Sequence, residues 1–297
     1  MRVFVTGASG FVGSAIVDDL IKAGHQVLGL ARSESSVEKV KAAGADVHHG
    51  DIYDLESIKQ GAMQCDAVIH TAFNHDFSKF KDNCETDRKV IATLGEALRG
   101  TEKPLVVTSG VGLLRSDHIV TEDELPQSSE VMPRAASEEA ARAAAAQGVD
   151  AYIVRLPPTT HDKGDHGFIP MVINMDKEKG MAAYVGDGSN RWPAVHRSDA
   201  ATLYRLIIEK RPELKVFHPV AEEGIPFREI AEAIGKGLQL PVESKSGEEA
   251  AAHFGWFLHY ASFNCPSSSE KTRAALNWEP KGPSLMADLE AGHYFKK

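Results

Sequence analysis

The segment Thr6-Gly7-Ala8-Ser9-Gly10-Phe11-Val12-Gly13, reached directly from the apolar run Val3-Phe4-Val5, constrains the fold more than any other part of the chain. A strand that stops at a glycine-rich turn and restarts as a helix is how a doubly wound α/β domain holds the pyrophosphate of a dinucleotide. The glycines permit the tight turn and close backbone approach, and the helix N-terminus offers unpaired N–H groups to the anion. Both flanks agree with this reading. Val12, Ile16, Leu20 and Ala23 recur at helical spacing, Gly24 stands where a helix stops, and a second apolar run starts at Gln26. Gly7, Ser9, Gly10, Phe11, Val12 and Gly13 are the expected pyrophosphate-binding residues.

The rest of the first half keeps this rhythm. Apolar runs suited to strands fall at 2–6, 26–30, 46–49, 66–70, 104–108 and 151–155, separated by helical patterns at 12–23, 34–43, 54–61, 83–99 and 134–147. Such βαβα alternation predicts an α/β fold, a doubly wound Rossmann-type parallel sheet with helices on both faces. The continuous runs Ala67-Val68-Ile69 and Leu105-Val106-Val107 suit strands buried on both sides. The alanine-rich helix 134–147 fits a close-packed cover for the sheet or a surface for a homodimer. After residue 156 the pattern breaks at Pro157-Pro158, and residues 222–297 read as a small mixed C-terminal lobe.

Bulk properties exclude several functions. The 297 residues carry a net charge of −9, which opposes nucleic-acid binding, and the basic residues form no cluster suited to an anionic membrane. Three scattered cysteines fit a reducing compartment, and no stretch reaches a membrane-spanning length. With a strand expected from residue 2, no signal peptide is expected either, which points to a cytoplasmic protein. Metal catalysis is not expected: His48-His49-x-Asp51 is the one dense ligand cluster, and alternate strand residues point to opposite faces. Ser109 lacks the Gly-x-Ser-x-Gly elbow of a hydrolase nucleophile.

The Thr-Gly-x-x-Gly-x-x-Gly form resembles the short-chain dehydrogenase/reductase superfamily in its extended, epimerase/dehydratase-like branch. The likeness continues in His70-Thr71-Ala72, Val107-Thr108-Ser109, Gly186-Asp187-Gly188 with Arg191-Trp192, His196-Arg197-Ser198-Asp199-Ala200 and the closing Thr272 to Pro280. The resemblance implies a dinucleotide domain from 1–155 plus 193–221, and a substrate lobe from 156–192 plus 222–297. It implies that Asp51 and Ile52 hold adenine, although Asp51 equally suits the cap of helix 54–61, that Thr71, Ala72 and Pro157 line the cofactor, and that Ser109 lies beside the nicotinamide. It also implies a small-molecule substrate near Phe73, His166, Phe168, Arg191 and Trp192; Phe168 and Trp192 suit a core equally well. At the end of the second strand Ala31 stands where an NAD-selecting acid is expected and Arg32-Ser33 follow, so NADP(H) is expected in preference to NAD(H). The other reading leaves Arg32 in solvent and turns Glu34 inward for NAD.

One departure from the family is chemical. Its ordinary members use Tyr-x-x-x-Lys on a helix as the acid–base pair. Here the equivalent stretch is Arg134-Ala135-Ala136-Ser137-Glu138, and no Tyr-x-x-x-Lys occurs anywhere in the chain. A guanidinium stays protonated at any working pH and cannot exchange protons as a phenol does. Arg134 and Glu138 are expected to pair with each other along the helix. Three functions fit: a reductase of activated acceptors with another proton source, a silent NADP sensor or partner-binding protein, and an epimerase-type isomerase or lyase. For the first, Ser109 can bond a carbonyl, and His75, His161, His166, His196 or Tyr184 can supply a proton.

Overall fold

The computed structural model describes residues 1–296. Its first half alternates as β1 (Arg2–Thr6), α1 (Phe11–Lys22), β2 (Gln26–Ala31), α2 (Glu34–Ala42), β3 (Asp46–His49), α3 (Leu55–Met63), β4 (Ala67–His70), α4 (Phe80–Leu98), β5 (Pro104–Gly110), α5 (Ala136–Ala146) and β6 (Asp150–Leu156). There follow β7 (Thr159–His161), α6 (Phe168–Lys179), β8 (Ala182–Val185), β9 (Arg191–His196), α7 (Arg197–Lys210), β10 (Val216–Phe217), β11 (Glu222–Pro226), α8 (Phe227–Leu238), β12 (Val242–Lys245), α9 (Gly247–Phe254), α10 (Leu258–Ala261), α11 (Glu270–Leu276) and α12 (Leu285–Glu290).

The α/β architecture is as expected. Seven strands form one sheet in the order β10-β6-β5-β4-β1-β2-β3, and every pairing in it is parallel. The chain winds outward from β1 to β3, then returns to lay β4 on the other side of β1. That reversal opens a crevice beyond the carboxyl ends of β1 and β4, where open α/β sheets bind ligands. One apolar core lies on each sheet face. Val5, Ile16, Leu20 and Leu203 belong to one, and Phe4, Ile58, Ile91 and Val107 to the other. Strands buried on both faces explain the unbroken apolar runs of β4 and β5.

Two helices start differently from the sequence pattern. A 3-10 turn at Phe77–Lys79, capped by the Asp76 carboxylate, feeds straight into α4, which therefore begins at Phe80 rather than residue 83. Pro133 opens a 3-10 turn at Pro133–Ala135, so α5 begins only at Ala136. The alanines of α5 have a visible use within the chain. Ala140, Ala141 and Ala144 are buried, and a Cβ on Gly95 of α4 would lie 2.8 Å from that of Ala144, so the two helices touch almost backbone to backbone.

The second lobe has its own core of Ile169, Val172, Trp192, Phe227, Phe254 and Phe257. β9 ties the two parts together: Trp192 packs in the lobe core, while Val195 packs in the core under the large sheet. Among the described residues no helix is long and apolar enough to cross a membrane.

Candidate active site

The glycine turn is shaped as its sequence predicts. Gly7 has φ +71°, and a Cβ there would lie 2.7 Å from Thr71 Oγ1 and 2.8 Å from the Ala72 nitrogen. A Cβ on Gly13 would lie 2.0 Å from the Gly7 carbonyl oxygen. The turn therefore presses against Thr71–Ala72 at the mouth of the β1–β4 crevice. No side chain caps α1 at Gly10, and its first turn carries no acid, which leaves the helix N-terminus free for an anion. A dinucleotide pyrophosphate fits this cradle. Ser9, Phe11 and Val12 belong to it, and the Phe11 ring packs under Arg197 and against His166.

Further along the same edge, Arg32 and Ser33 follow β2. Ser33 caps α2 through Ser36. Arg32 is 70% exposed and reaches Asp51 Oδ2 at only 3.4 Å, a loose pair that can rearrange toward an incoming group. Asp51 also accepts the Tyr53 N–H at 3.1 Å. Ile52 is packed against the core beneath, and Pro157 is buried where β6 ends.

Below the crevice floor runs a buried polar chain. Thr6 Oγ1 accepts the N–H groups of Thr71 and Ala72 at 3.2 and 3.3 Å, leaving its own proton for His70 Nδ1 at 2.7 Å. His70 therefore carries its proton on Nε2 and donates it to Asp87 Oδ1 at 2.8 Å. The other Asp87 oxygen accepts Arg134 Nη1 at 3.0 Å and the Ser137 hydroxyl. Arg134 Nη2 donates to the Thr108 carbonyl at 2.9 Å, and its guanidinium carbon lies over the Phe73 ring, 4.3 Å from the centroid. Burial pushes the Asp87 carboxyl up, but Arg134 and His70 outweigh it and hold the pKa below the ordinary value.

The expected Arg134–Glu138 pair does not form. Glu138 turns to the sheet instead, where Arg155 clamps it through two bonds of 2.8 Å; Arg142 approaches the same carboxylate at 3.5 Å. The Ser109 hydroxyl donates to Glu138 at 2.9 Å, and Arg155 also donates to His218 Nε2 at 3.3 Å. The cause is β6, whose buried Arg155 offers Glu138 a forked partner that a helical neighbour cannot match. Ser109 is thus buried and committed to Glu138.

The proposed proton donors separate by position. His161 is fully buried on Asp288, His196 caps α7, and Tyr184 lies in the lobe under Arg228. His75 and His166 stay near the crevice, beside Phe73 and Phe11 respectively. His75 is exposed, and desolvation by the neighbouring protein and the charge of Arg134 lower its pKa. Tyr204 does reach the end of β5, bonding Thr108 Oγ1 at 2.7 Å, but burial drives its phenol pKa far upward. Phe168 starts α6 at the lobe's edge, whereas Trp192 is wholly buried in the lobe core. Arg191 lines a cavity of about 560 Å³ with Asp187, Arg228, Glu229 and Glu232.

Asp87 and Arg155 carry no mark in the sequence motifs, and His70 and Ser137 stand within motifs that give them no role of their own. Asp87 had a readable signal: with Asn83 it interrupts the buried stripe of α4 that continues through Val90, Ile91 and Leu94.

Fold and cradle together define a dinucleotide-binding α/β protein of the dehydrogenase type. The chain belongs to the NAD dependent epimerase/dehydratase family, whose model matches residues 3–218. It is 50% identical to Uncharacterized protein C2A9.02 of Schizosaccharomyces pombe, over 99% of this chain and 100% of that one. It is 26% identical to the 4-hydroxy-2-methyl-3-oxo-4-farnesyl-3,4-dihydroquinoline-1-oxide ketoreductase of Stigmatella aurantiaca, over 86% of this chain and 80% of the relative. Among solved structures, the dTDP-glucose 4,6-dehydratase DesIV of Streptomyces venezuelae, with NAD bound, superposes with a TM-score of 0.79 at 20% identity, covering 99% and 96% of the two chains.

Proposed function

We propose that the protein is an NADPH-dependent reductase of a small activated carbonyl, enone or imine that works without a phenol acid. The observation that carries this reading is Arg134, a fixed cation held at the end of β5 by Asp87 and the Thr108 carbonyl; the sequence resemblance puts it where the family's ordinary members have tyrosine. NADPH, which the Gly7–Gly13 turn and Arg32 would hold, would supply hydride to the electron-poor carbon, and the acceptor's oxygen or nitrogen, taking up the displaced π pair, would draw its proton from water. Arg134 provides positive charge for that atom; with Nη1 given to Asp87 and Ser137 and one Nη2–H to the Thr108 carbonyl, its Nε–H and second Nη2–H are the donors left. Reductase activity in the Stigmatella relative supports the same class.

Arg32 supports the choice of NADPH. It lies beyond β2 with most of its surface free and can pair with a ribose phosphate. NADPH oxidation measured against enones, imines, aldehydes and plain ketones tests the proposal. Turnover of activated acceptors but not of plain ketones is expected. Tight NADPH binding with no turnover on any of them would instead make the chain a cofactor sensor.

A further inference from the structure

The loop leaving the cofactor cradle is aromatic, and its rings continue into the lobe. Directly after Thr71–Ala72 comes Phe73, under Arg134. Phe77 stacks on Phe80, with centroids 5.7 Å apart and planes within 20°, and meets Trp256 at 5.0 Å and Tyr260 at 5.9 Å. Phe73, Phe77 and Tyr260 are half-buried, while Trp256 leaves 55% of its surface open; the other two tryptophans, Trp192 and Trp278, are buried. Phe80, 6.2 Å from Phe73 by ring centroids, links Phe73 to Phe77, and an open tryptophan at the end of this run of rings from the cofactor cradle is suited to a flat apolar ligand.

The cavity that holds Arg191 has the opposite character. Asp187, Glu229 and Glu232 outnumber Arg191 and Arg228 there, and Arg228 is already bonded to Glu232 at 2.8 Å. A diphosphate would meet more negative than positive charge in it.

Resting on the reductase reading, we infer that the acceptor is a flat conjugated carbonyl compound bearing an aromatic ring. The ring lies against the Phe73–Phe77–Trp256–Tyr260 wall and the oxygen turns to Arg134. Specificity for the ring then belongs to the wall, and the pull on the oxygen to the arginine.

Calorimetric titration of the protein saturated with NADP⁺ tests this with no turnover needed. The probes are benzylideneacetone, its ringless counterpart methyl vinyl ketone, and UDP-glucose. The expected result is benzylideneacetone binding at least about tenfold tighter than methyl vinyl ketone, with UDP-glucose weaker than either. Trp256→Ala, at an exposed position, is expected to weaken benzylideneacetone about fivefold or more while NADP⁺ affinity is kept; Phe77→Leu, which keeps apolar bulk but removes the ring, acts in the same direction. Equal affinity with and without the ring, tighter UDP-glucose, or unchanged binding in both variants overturns the inference. Ring-dependent binding without NADPH oxidation would sink the reductase reading and leave the wall standing. Equal turnover of the two ketones would do the reverse.

Discussion

Arg134 brings to the end of β5 a charge that no working pH removes, and its surroundings fix that charge in place. Lysine in its stead is a point charge that cannot span Asp87 and the Thr108 carbonyl together. Arg134→Lys is therefore expected to lower kcat on the order of a hundredfold with NADPH affinity retained, as read by steady-state kinetics and cofactor titration. Ser109→Ala should cost much less turnover, because its hydroxyl serves Glu138. At the other end of the cofactor, Arg32→Ala is expected to weaken NADPH by about tenfold and leave NADH nearly unchanged, measured by the same titration. An equal loss for both would return Arg32 to the role of a solvated side chain.

At the scale of elements, the β1–α1 turn and the α5 helix behave differently as sources of information. The turn was legible because its constraint is local: glycine is demanded by the backbone at Gly7 and by the missing space at Gly13. Gly13→Ala should abolish cofactor binding and lower Tm, since the added methyl would meet the Gly7 carbonyl oxygen at 2.0 Å. Helix α5 was legible in position and composition but not in its contacts. Spacing put Arg134 and Glu138 on one helix face, and only the tertiary fold brings Arg155 from β6 to take the carboxylate. Removing one partner from such a buried pair costs about 3–5 kcal/mol. Introducing a Tyr-x-x-x-Lys pair here as Arg134→Tyr with Glu138→Lys should therefore not confer ordinary ketone reduction. It sets a second cation against the buried Arg155, and thermal unfolding should show a large drop in stability.

For the molecule as a whole, topology explains what the sequence could and could not reveal. The βαβα rhythm identifies a parallel sheet, and the chain reversal beside β1 locates the crevice. The polar chain from Thr6 through His70 and Asp87 to Arg134 joins residues far apart in sequence, so no local pattern could disclose it. The aromatic wall likewise unites the loop after β4 with the segment around α10. Stability against acid follows from the same buried groups. Burial first, and then Arg155, lower the His218 pKa to about 3, so the unfolded chain takes up this proton near pH 6.5 while the native state refuses it. Below pH 6.5 native stability is lost, at up to about 1.4 kcal/mol per pH unit for this one group. Asp87 and Glu138, whose pKa values are depressed, add to the loss only as pH falls through the carboxylate range. Asp165, Asp176 and Glu222, raised by burial, act in the opposite sense. Comparing Tm of the wild type and His218→Gln from pH 7 to pH 5 isolates the histidine: the wild type should lose ground steadily, and parallel curves would contradict the assignment.

The pH dependence of kcat for NADPH-driven reduction of benzylideneacetone bears most directly on the claim that a fixed cation replaces a titrating phenol. A guanidinium does not titrate in the working range, so kcat should stay level from about pH 7 to about pH 10. An alkaline limb in the wild type, or no turnover at any pH, would contradict it.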